Sequence, residues 1–297
     1  MSRLRLEPEG EMATYIAITP ARDEEILLPG LIESMTAQTV APLRWIVIDD
    51  GSADRTATIL DEAAARTPWI EVHHVPKGQP RQAGGEAAIM KFLDRSGWQQ
   101  ADYIFRLDAD LSFGPELVES LISEFERDPH LGIASPTLSE PQPNGEWKDI
   151  VLRSMHTRGG SKFYSRACFE AIGRLEAGLG WDIVDAARAL RAGFSTRSFP
   201  NIRARHHRPQ GTAAGVLRGR LASGRAAYYA GYSPLYLMAA ALRRTIQPPW
   251  VIGGLMMTLG YVEGYLYRRP QVADLDLIKF IRHQQLRRLL GKDSLWS

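Results

Sequence analysis

Two aspartates one residue apart, Asp108 and Asp110, follow the mostly apolar run YIFRL at 103–107. The run predicts a buried strand that ends where the two carboxylates begin. Isolated charges are costly to bury, so this pair needs a compensating partner. Residues two positions apart on a strand share a side, and carboxylate oxygens are preferred ligands of Mg²⁺ and Mn²⁺. The pair therefore indicates a divalent-metal site. The plainer alternative is that Asp110 caps a turn while Asp108 accepts backbone hydrogen bonds.

A second acidic pair, Asp49 and Asp50, ends the apolar run LRWIVI at 43–48 and precedes Gly51 and Ser52. A carboxylate there can accept a hydrogen bond from a pyrimidine N–H or a ribose hydroxyl. It can also cap the following helix, and the two roles can coexist in one DDGS turn.

The elements that must position these carboxylates alternate between strand and helix patterns. Strands are predicted at 14–19, 43–49, 70–75, 102–108 and 131–139, and an extended segment at 195–201. Helices are predicted at 23–38, around 86–96, at 115–129 and at 181–194, and a further helix begins after a cap at Ser52 or Asp54. This alternation predicts a mostly parallel sheet covered on both faces. Ligands of such sheets gather beyond the carboxyl ends of the strands, which is where both acidic pairs fall.

Three segments in order and register resemble the N-terminal signatures of family 2 glycosyltransferases, which are inverting enzymes with the GT-A fold. They are AITPARDEE at 17–25, VIDDGSADRT at 47–56 and FRLDADLSF at 105–113, and the resemblance spans about residues 14–200. It implies an α/β, Rossmann-like GT-A domain at 12–210, followed by a helical segment at 211–297. The implied reaction moves a sugar from a nucleoside diphosphate sugar, expected to be a UDP-sugar, to a hydroxyl of a lipid-linked or polysaccharide acceptor of the bacterial cell surface.

The resemblance also implies roles for particular residues. Those expected to contact the nucleotide are Pro20, Arg22, Glu24, Asp50, Arg81 and Asp108. Asp110 is expected to bind a divalent cation, Mn²⁺ or Mg²⁺. The family's usual aromatic–Asn pair is replaced here by Arg22–Asp23. In the proline- and glycine-rich stretch 76–86, Arg81 or Lys77 is expected to supply the contacts to phosphate.

The general base that the family places at a helix start falls on Asp182. Its usual acidic predecessor is Trp181 here, and we expect this ring to form a wall for the sugar or the acceptor. Asp185 on the same helix is the second candidate base. The alternative for Asp182 is a partner of the helix dipole.

The segment RARHHRPQG at 203–211 carries two adjacent histidines, and in related enzymes a histidine completes the metal site. Adjacent residues of an extended segment cannot both point into one site, and His206 is our prediction over His207. Arg205 or Arg208 is expected to neutralise diphosphate. The alternative is a pair of loop histidines on a basic surface.

The C-terminal third is basic. Residues 201–297 contain 15 Lys and Arg against 4 Asp and Glu, a balance of +11, whereas residues 1–200 have a balance of −9. Segment 250–267 has a single charge, 228–244 is apolar and aromatic, and 279–291 resembles a basic amphipathic helix. These features predict interfacial or re-entrant contact with the cytoplasmic side of the cell membrane, and no nucleic-acid partner. The alternative is a helical subdomain that packs on the core or on a dimer partner, and an oligomer remains an alternative to a monomer.

Other features bear on compartment and on rival functions. Cys168 is the single cysteine, and the N-terminus lacks a signal-type apolar core, so we expect a cytoplasmic protein where it is not membrane-associated. A haloacid-type phosphatase also uses D-x-D, but after the first strand, whereas here the motif follows the fourth. A catalytically weak nucleotide-sugar-binding scaffold of a membrane polysaccharide assembly is the other alternative.

Overall fold

The computed structural model describes residues 13–76, 89, 92–93, 96–142, 144–150, 157–173, 175, 178–208, 215–246, 249–292 and 294. The strands are β1 Tyr15–Ala21, β2 Arg44–Asp49, β3 Ile70–His74, β4 Tyr103–Leu107, β5 Leu111–Phe113, β6 Leu131–Pro141, β7 Trp147–Asp149, β8 Ser161–Ser165 and β9 Ser195–His206. The helices are α1 Leu28–Thr36, α2 Thr56–Arg66, α3 Leu117–Arg127, α4 Arg166–Ala171, α5 Trp181–Arg191, α6 Val216–Tyr229, α7 Pro234–Arg244, α8 Trp250–Leu266 and α9 Leu275–Leu289. The helix predicted around 86–96 lies mostly outside the described residues.

The strands form one sheet in the order β3-β2-β1-β4-β8-β6-β9-β5, with β7 beside β6. β1 pairs in parallel with β2 and β4, β2 with β3, and β6 with β9, whereas β8, β5 and β7 are antiparallel to their neighbours. Six of the nine described strands thus run in one direction, and the predicted mostly parallel α/β fold is confirmed. The central strands are nearly continuous apolar runs because both faces of the sheet are covered.

The first helix starts later than predicted. α1 begins at Leu28, not at residue 23, so the acidic stretch 23–25 is not its first turn. Asp23 has φ 57°, a left-handed conformation that interrupts a helix. The N–H of Glu24 donates to Thr56 Oγ1, and that of Glu25 to Asp54 Oδ2. These backbone donors are therefore satisfied by side chains at and just before the start of α2, and not by hydrogen bonds within a helix.

Strand β9 is longer than the extended segment predicted at 195–201. It continues through Arg203–His206 because it pairs with β6 across an irregularity in register between Pro136 and Thr137, and with β5 at its end. His206 is therefore a strand residue opposite Leu111 of β5. The pairing of β5 with β9 brings the histidine next to the D-x-D segment.

The four C-terminal helices pack on the preceding part of the chain and on each other. α9 is tied to α5 by two hydrogen bonds between the Arg191 guanidinium and the Asp274 carboxylate, of 3.0 and 2.7 Å. α6 and α8 approach at backbone distance, since a Cβ on Gly224 would lie 1.9 Å from Met257 O. Among the described helices, including α8 within the predicted membrane segment, none combines the length and apolarity needed to cross a bilayer. The division of the chain at 210/211 stays a prediction.

Candidate functional site

Three predicted residues meet at one end of the sheet. Asp108 follows β4, Asp110 precedes β5, and His206 ends β9. One ligand atom from each lies within 4.8 Å of the others, a spacing that suits a single metal ion. The carboxyl ends of parallel strands and the β5–β9 pairing produce this cluster from residues about 100 positions apart in the chain.

The Asp110 carboxylate is buried in the cluster, with an exposure of 8% that equals that of His206. Its Oδ1 lies 3.4 Å from His206 Nε2 and has no hydrogen-bond partner among the described residues. Burial favours the neutral acid, but His206 and Arg208 outweigh it and hold the pKa of Asp110 below its usual range. A buried, ionised oxygen without a hydrogen bond fits the coordination of a cation.

His206 is held between two carboxylates. Its Nδ1 lies 3.4 Å from Glu140 Oε1 on β6, while Nε2 faces Asp110. Burial lowers the pKa of His206, but these carboxylates outweigh it and raise the pKa to about 9. Metal-binding histidines commonly donate their second ring N–H to such a carboxylate. Sequence reasoning missed Glu140, although a glutamate at the end of a long buried strand was a usable signal.

Asp108 is fixed by the chain around it. The Arg106 guanidinium, 3% exposed on β4, donates to Asp108 Oδ1 at 2.5 Å and to Gly159 O at 2.9 Å. The Asp108 N–H donates to Gly160 O, and a Cβ on Gly160 would lie 2.5 Å from Asp108 Oδ2. The 159–160 turn is therefore packed directly against one predicted ligand, a role that sequence reasoning did not assign to it.

This contact predicts the effect of Gly160→Ala. The added methyl must displace the Asp108 carboxylate, so we expect Mn²⁺ affinity to fall by about 10-fold or more, as for disturbed metal ligation elsewhere. Gly114→Ala is the matched control, because a Cβ there meets nothing within 4 Å. Calorimetric titration with Mn²⁺ measures both variants. Equal affinity in Gly160→Ala and in the unmodified protein would mean that Asp108 does not contribute to the site.

The residues predicted to contact the nucleotide lie at the ends of β1 and β2. Pro20 is opposite Ile48 in the register of the two strands. The Asp50 carboxylate is 3.7 Å from Arg22 Nη1 and is largely buried. Asp49, in contrast, accepts a hydrogen bond from the Ser52 N–H and contacts His74 through its other oxygen. Asp49 therefore braces the turn, and the contact of Asp50 with the nucleotide stays a prediction.

Glu24 and Arg208 form a pair across the site. The guanidinium donates to both Glu24 oxygens, at 3.0 and 2.6 Å, and Glu24 is 6% exposed. The charge of Arg208 also acts on Asp108 and Asp110. The structure therefore places Glu24 as the ion-pair partner of an arginine predicted to face diphosphate. Arg81 and Lys77 lie outside the described residues.

The residues on either side of His206 in the sequence, Arg205 at the end of β9 and His207 just after it, have other partners. The Arg205 guanidinium lies 5.0 Å from the centre of the Trp147 ring, and His207 Nε2 is 2.7 Å from Ser112 Oγ. Both side chains belong to the outer surface near an open groove of about 950 Å³ lined by β5, β7 and β9 residues. None of the three clustered residues, Asp108, Asp110 and His206, lines that groove.

Asp182 occupies the first turn of α5, beside the same 159–160 turn that packs on Asp108. A Cβ on Gly159 would lie 3.4 Å from Asp182 Oδ2. The buried Lys162 ammonium donates to the Asp182 carbonyl at 2.9 Å and thereby fixes the start of the helix. The two carboxylates thus flank two consecutive glycines, which places the predicted base next to the predicted metal site.

Two expectations on this helix are wrong in the structure. Asp185 is 2% exposed, and its oxygens accept hydrogen bonds from the Lys162 ammonium at 2.7 and 2.9 Å and from Tyr164 Oη at 2.5 Å. It is therefore an internal partner and not an accessible base. Trp181 is 8% exposed, with the Arg106 guanidinium 4.9 Å and the Lys162 ammonium 5.1 Å from its ring centre. The ring receives two buried cations and offers no wall to a substrate.

The buried Lys162–Asp185 pair predicts a stability effect. Lys162→Met leaves the Asp185 charge buried without its partner, and we expect the free energy of unfolding to fall by about 3–5 kcal/mol. The double variant Lys162→Met/Asp185→Leu removes both charges and should recover much of that loss. Urea unfolding followed by circular dichroism measures both. A single variant as stable as the unmodified protein, or a double variant no better than the single one, would contradict the pairing.

Comparison with known proteins gives a family and a fold. Residues 16–196 match the model of the family described as glycosyl transferase family 2. An undecaprenyl-phosphate 4-deoxy-4-formamido-L-arabinose transferase of Pectobacterium carotovorum is 39% identical over 110 residues, which cover 35% of this chain and 31% of that enzyme. The chain thus matches about a third of the length of this curated relative.

Solved structures of glycosyltransferases share the architecture. One is the mannosyltransferase PcManGT from Pyrobaculum calidifontis in complex with GDP-Man and Mn²⁺, with a TM-score of 0.55, 17% identity, and coverage of 94% of this chain and 76% of that one. Another is GalNAc-T7 with UDP, GalNAc and Mn²⁺, with a TM-score of 0.59, 14% identity, and coverage of 97% and 56%. At these identities the similarity establishes the GT-A fold alone.

Proposed function

The chain belongs to glycosyl transferase family 2, and from this premise we propose that it transfers a sugar, with inversion, from a nucleoside diphosphate sugar to an acceptor hydroxyl. The observation that carries the proposal is the Asp108–Asp110–His206 cluster, with a buried Asp110 oxygen that accepts no hydrogen bond from the described residues, lying beside Asp182. A binding scaffold would need the cluster but would have no use for an accessible carboxylate next to it.

Asp110 and His206 would hold a divalent cation, with Asp108 beside them, and Glu140 would orient the imidazole. The donor set of carboxylate oxygens and one imidazole suits Mn²⁺ or Mg²⁺. When bound, such an ion stabilises negative charge on the oxygens of a leaving diphosphate. Arg208 adds a fixed positive charge on the same side, and its pairing with Glu24 sets its direction.

Asp182 would act as the general base. Inversion requires the acceptor hydroxyl to attack the anomeric carbon from the side opposite the diphosphate, while a carboxylate removes its proton. The start of α5 is fixed by Lys162, so the Asp182 carboxylate is held next to Gly159 and close to the donor site. Positioning of this kind contributes more to the rate of transfer when the side chain is already ordered before the substrate binds.

Asp50, Arg22 and Pro20 would surround the nucleobase and ribose, and we propose a UDP-sugar as the donor. The negatively charged Asp50 can accept hydrogen bonds from an N–H or a hydroxyl. Arg81 stays a proposed contact to phosphate. The GDP-Man and UDP complexes of the structural neighbours support a nucleoside diphosphate in this fold, and leave the choice of base to experiment.

The acceptor would be lipid-linked or a polysaccharide, in polysaccharide assembly at the cytoplasmic side of the membrane. The undecaprenyl-phosphate relative supports a lipid acceptor, and the basic C-terminal helices support a membrane surface.

An assay of sugar release from a panel of UDP- and GDP-sugars, with and without Mn²⁺, tests the proposal. We expect metal-dependent turnover of at least one UDP-sugar. Binding of a nucleotide sugar without turnover of any donor, with any lipid or saccharide acceptor, would favour the scaffold.

A further inference from the structure

The hairpin formed by α7 and α8 carries large apolar side chains that are exposed. In a folded protein such side chains are usually covered by other parts of the molecule. On α7, Leu235, Met238 and Leu242 are 62–71% exposed and follow one another at helical spacing. The opposite side of α7, including Leu237 and Ala241, is buried. The outer face of a helix in a soluble protein normally carries polar residues. This helix, in contrast, has apolar residues on both its buried and its exposed side.

Helix α8 has the same property over its full length. Its buried side consists of four glycines, Met257 and Tyr261, and packs on α6 and α7. Its outer residues are 47–72% exposed and are Val251, Ile252, Leu255, Leu259, Val262 and Leu266. The two helices pack closely, because a Cβ on Gly254 would lie 2.7 Å from Ala241 O. The exposed residues of both helices therefore belong to one helical hairpin.

Two large apolar side chains flank the connection between the helices, and both are exposed. Ile246 is 72% exposed, and Trp250 is 60% exposed with φ 53°. A left-handed conformation at a residue other than glycine costs free energy, and such strain is retained where the placement of a side chain is useful. Aromatic residues at both ends of α8, Trp250 and Tyr267, are typical of helices at a membrane–water interface.

Charge around the hairpin is positive and is not neutralised by the segment itself. The acidic residues of 215–292 are Glu263, Asp274 and Asp276, and each is in an ion pair, with Arg225, Arg191 and Lys279 respectively. Arg243 and Arg244 end α7, and Arg268 and Arg269 follow α8. Pairs of arginines thus lie at both ends of the apolar surface, with no carboxylate of this segment left to neutralise them.

These observations distinguish between the two occupants that could cover the hairpin. A symmetric second copy would bring the same surface against itself and would place arginines opposite arginines. An anionic bilayer complements both the apolar residues and the arginines, each of which adds about 1 kcal/mol near such a surface. α8 has 17 residues, about 25 Å of helix, which suits a helix lying in the interface better than one crossing it.

We propose that the α7–α8 hairpin is a membrane-docking surface that lies flat in the interface of an anionic bilayer. Its exposed apolar side chains enter the acyl boundary while Arg243, Arg244, Arg268 and Arg269 contact lipid phosphates. The hairpin would be the surface that mediates the membrane association named in the proposed function. Its binding to lipid does not depend on the transferase reaction.

Sedimentation of the full chain with vesicles tests the docking surface. We expect binding to vesicles of phosphatidylcholine with about one third phosphatidylglycerol, and weaker binding to phosphatidylcholine alone. The variant Met238→Ser/Leu255→Ser/Leu259→Ser should bind the anionic vesicles at least about tenfold more weakly, since buried methylenes contribute about 0.8 kcal/mol each. Replacing the four arginines by glutamine should remove the preference for anionic vesicles.

Ile26→Ser is the matched control, because this side chain is 83% exposed but lies far from the hairpin in the chain, and its vesicle binding should not change. Release of sugar from the donor in solution should stay unchanged in the triple variant, which separates this test from a failure of the proposed function. Equal vesicle binding of the triple variant and the unmodified chain would overturn the proposal. So would a concentration-dependent dimer, seen by light scattering, that the triple substitution dissociates.

Discussion

Asp182→Asn is expected to lower the rate of sugar transfer to a hydroxyl acceptor by about 10²–10⁴-fold, the usual contribution of a general base. The amide keeps the size of the side chain at the start of α5 but cannot take a proton from the acceptor. The Lys162 hydrogen bond to the Asp182 carbonyl does not involve the side chain, so the helix start should persist. Donor and metal affinity should change little, because Asp182 lies outside the cluster of Asp108, Asp110 and His206.

Asp276→Asn is the matched control for this substitution. Both aspartates lie in the first turn of a helix, so both variants lose the same favourable interaction with the helix dipole, about 0.3–1 kcal/mol. Only the Asp182 variant should lose turnover. A phosphate acceptor is already ionised near neutral pH and needs no base. Undiminished transfer to a lipid phosphate by Asp182→Asn would therefore contradict the base and would make the acceptor a phosphate instead of a hydroxyl.

Asp110→Asn is expected to weaken Mn²⁺ binding by about 100-fold or more, and to reduce transfer at limiting metal to the same degree. This exceeds the effect of Glu140→Gln, which should cost about 10- to 100-fold as the loss of a group that orients a ligand. The Asp110 substitution removes the negative charge of the carboxylate whose buried Oδ1 has no hydrogen-bond partner among the described residues. Metal dependence of the transfer rate, measured from micromolar to millimolar Mn²⁺, gives both values.

Asp61→Asn, a carboxylate on the surface of α2, controls for loss of a negative charge and should leave the metal dependence unchanged. Thermal unfolding of Asp110→Asn in the absence of metal checks that the variant is folded. An unchanged metal dependence in a folded Asp110 variant would exclude this carboxylate as a ligand.

Local pattern was sufficient for the parts of the fold that are local in sequence. The apolar runs of β1, β2 and β4 predicted the strands, and the aspartates at the ends of β2 and β4 predicted the edge of the sheet at which Asp50, Asp108 and Asp110 lie. Alternation along an extended segment predicted that only one of His206 and His207 enters the site, without deciding which one, and our prediction was His206. In the structure His206 Nε2 faces Asp110, whereas His207 Nε2 lies next to Ser112 Oγ.

Contacts between distant segments were beyond local pattern. In the sequence, Trp181 stands where the family usually has an acidic residue. In the structure its ring contacts the buried cations of Arg106 and Lys162, neither of which is near it in sequence. Asp185 appeared as a candidate base because nothing in its own helix shows that Lys162 on β8 encloses it. The predicted start of α1 was wrong for a similar reason, since the side chains of Thr56 and Asp54 accept hydrogen bonds from the backbone N–H groups of residues 24 and 25.

The central claim is that Asp110 and His206, with Asp108 beside them, bind a divalent cation together with a nucleoside diphosphate. Calorimetric titration of UDP into the unmodified chain, with and without Mn²⁺, tests it most directly, and GDP serves as the competing nucleotide. We predict that Mn²⁺ tightens UDP binding by at least about tenfold, as expected for two ligands that share one site. UDP binding of equal strength with and without Mn²⁺, or no binding of either nucleotide, would contradict the account.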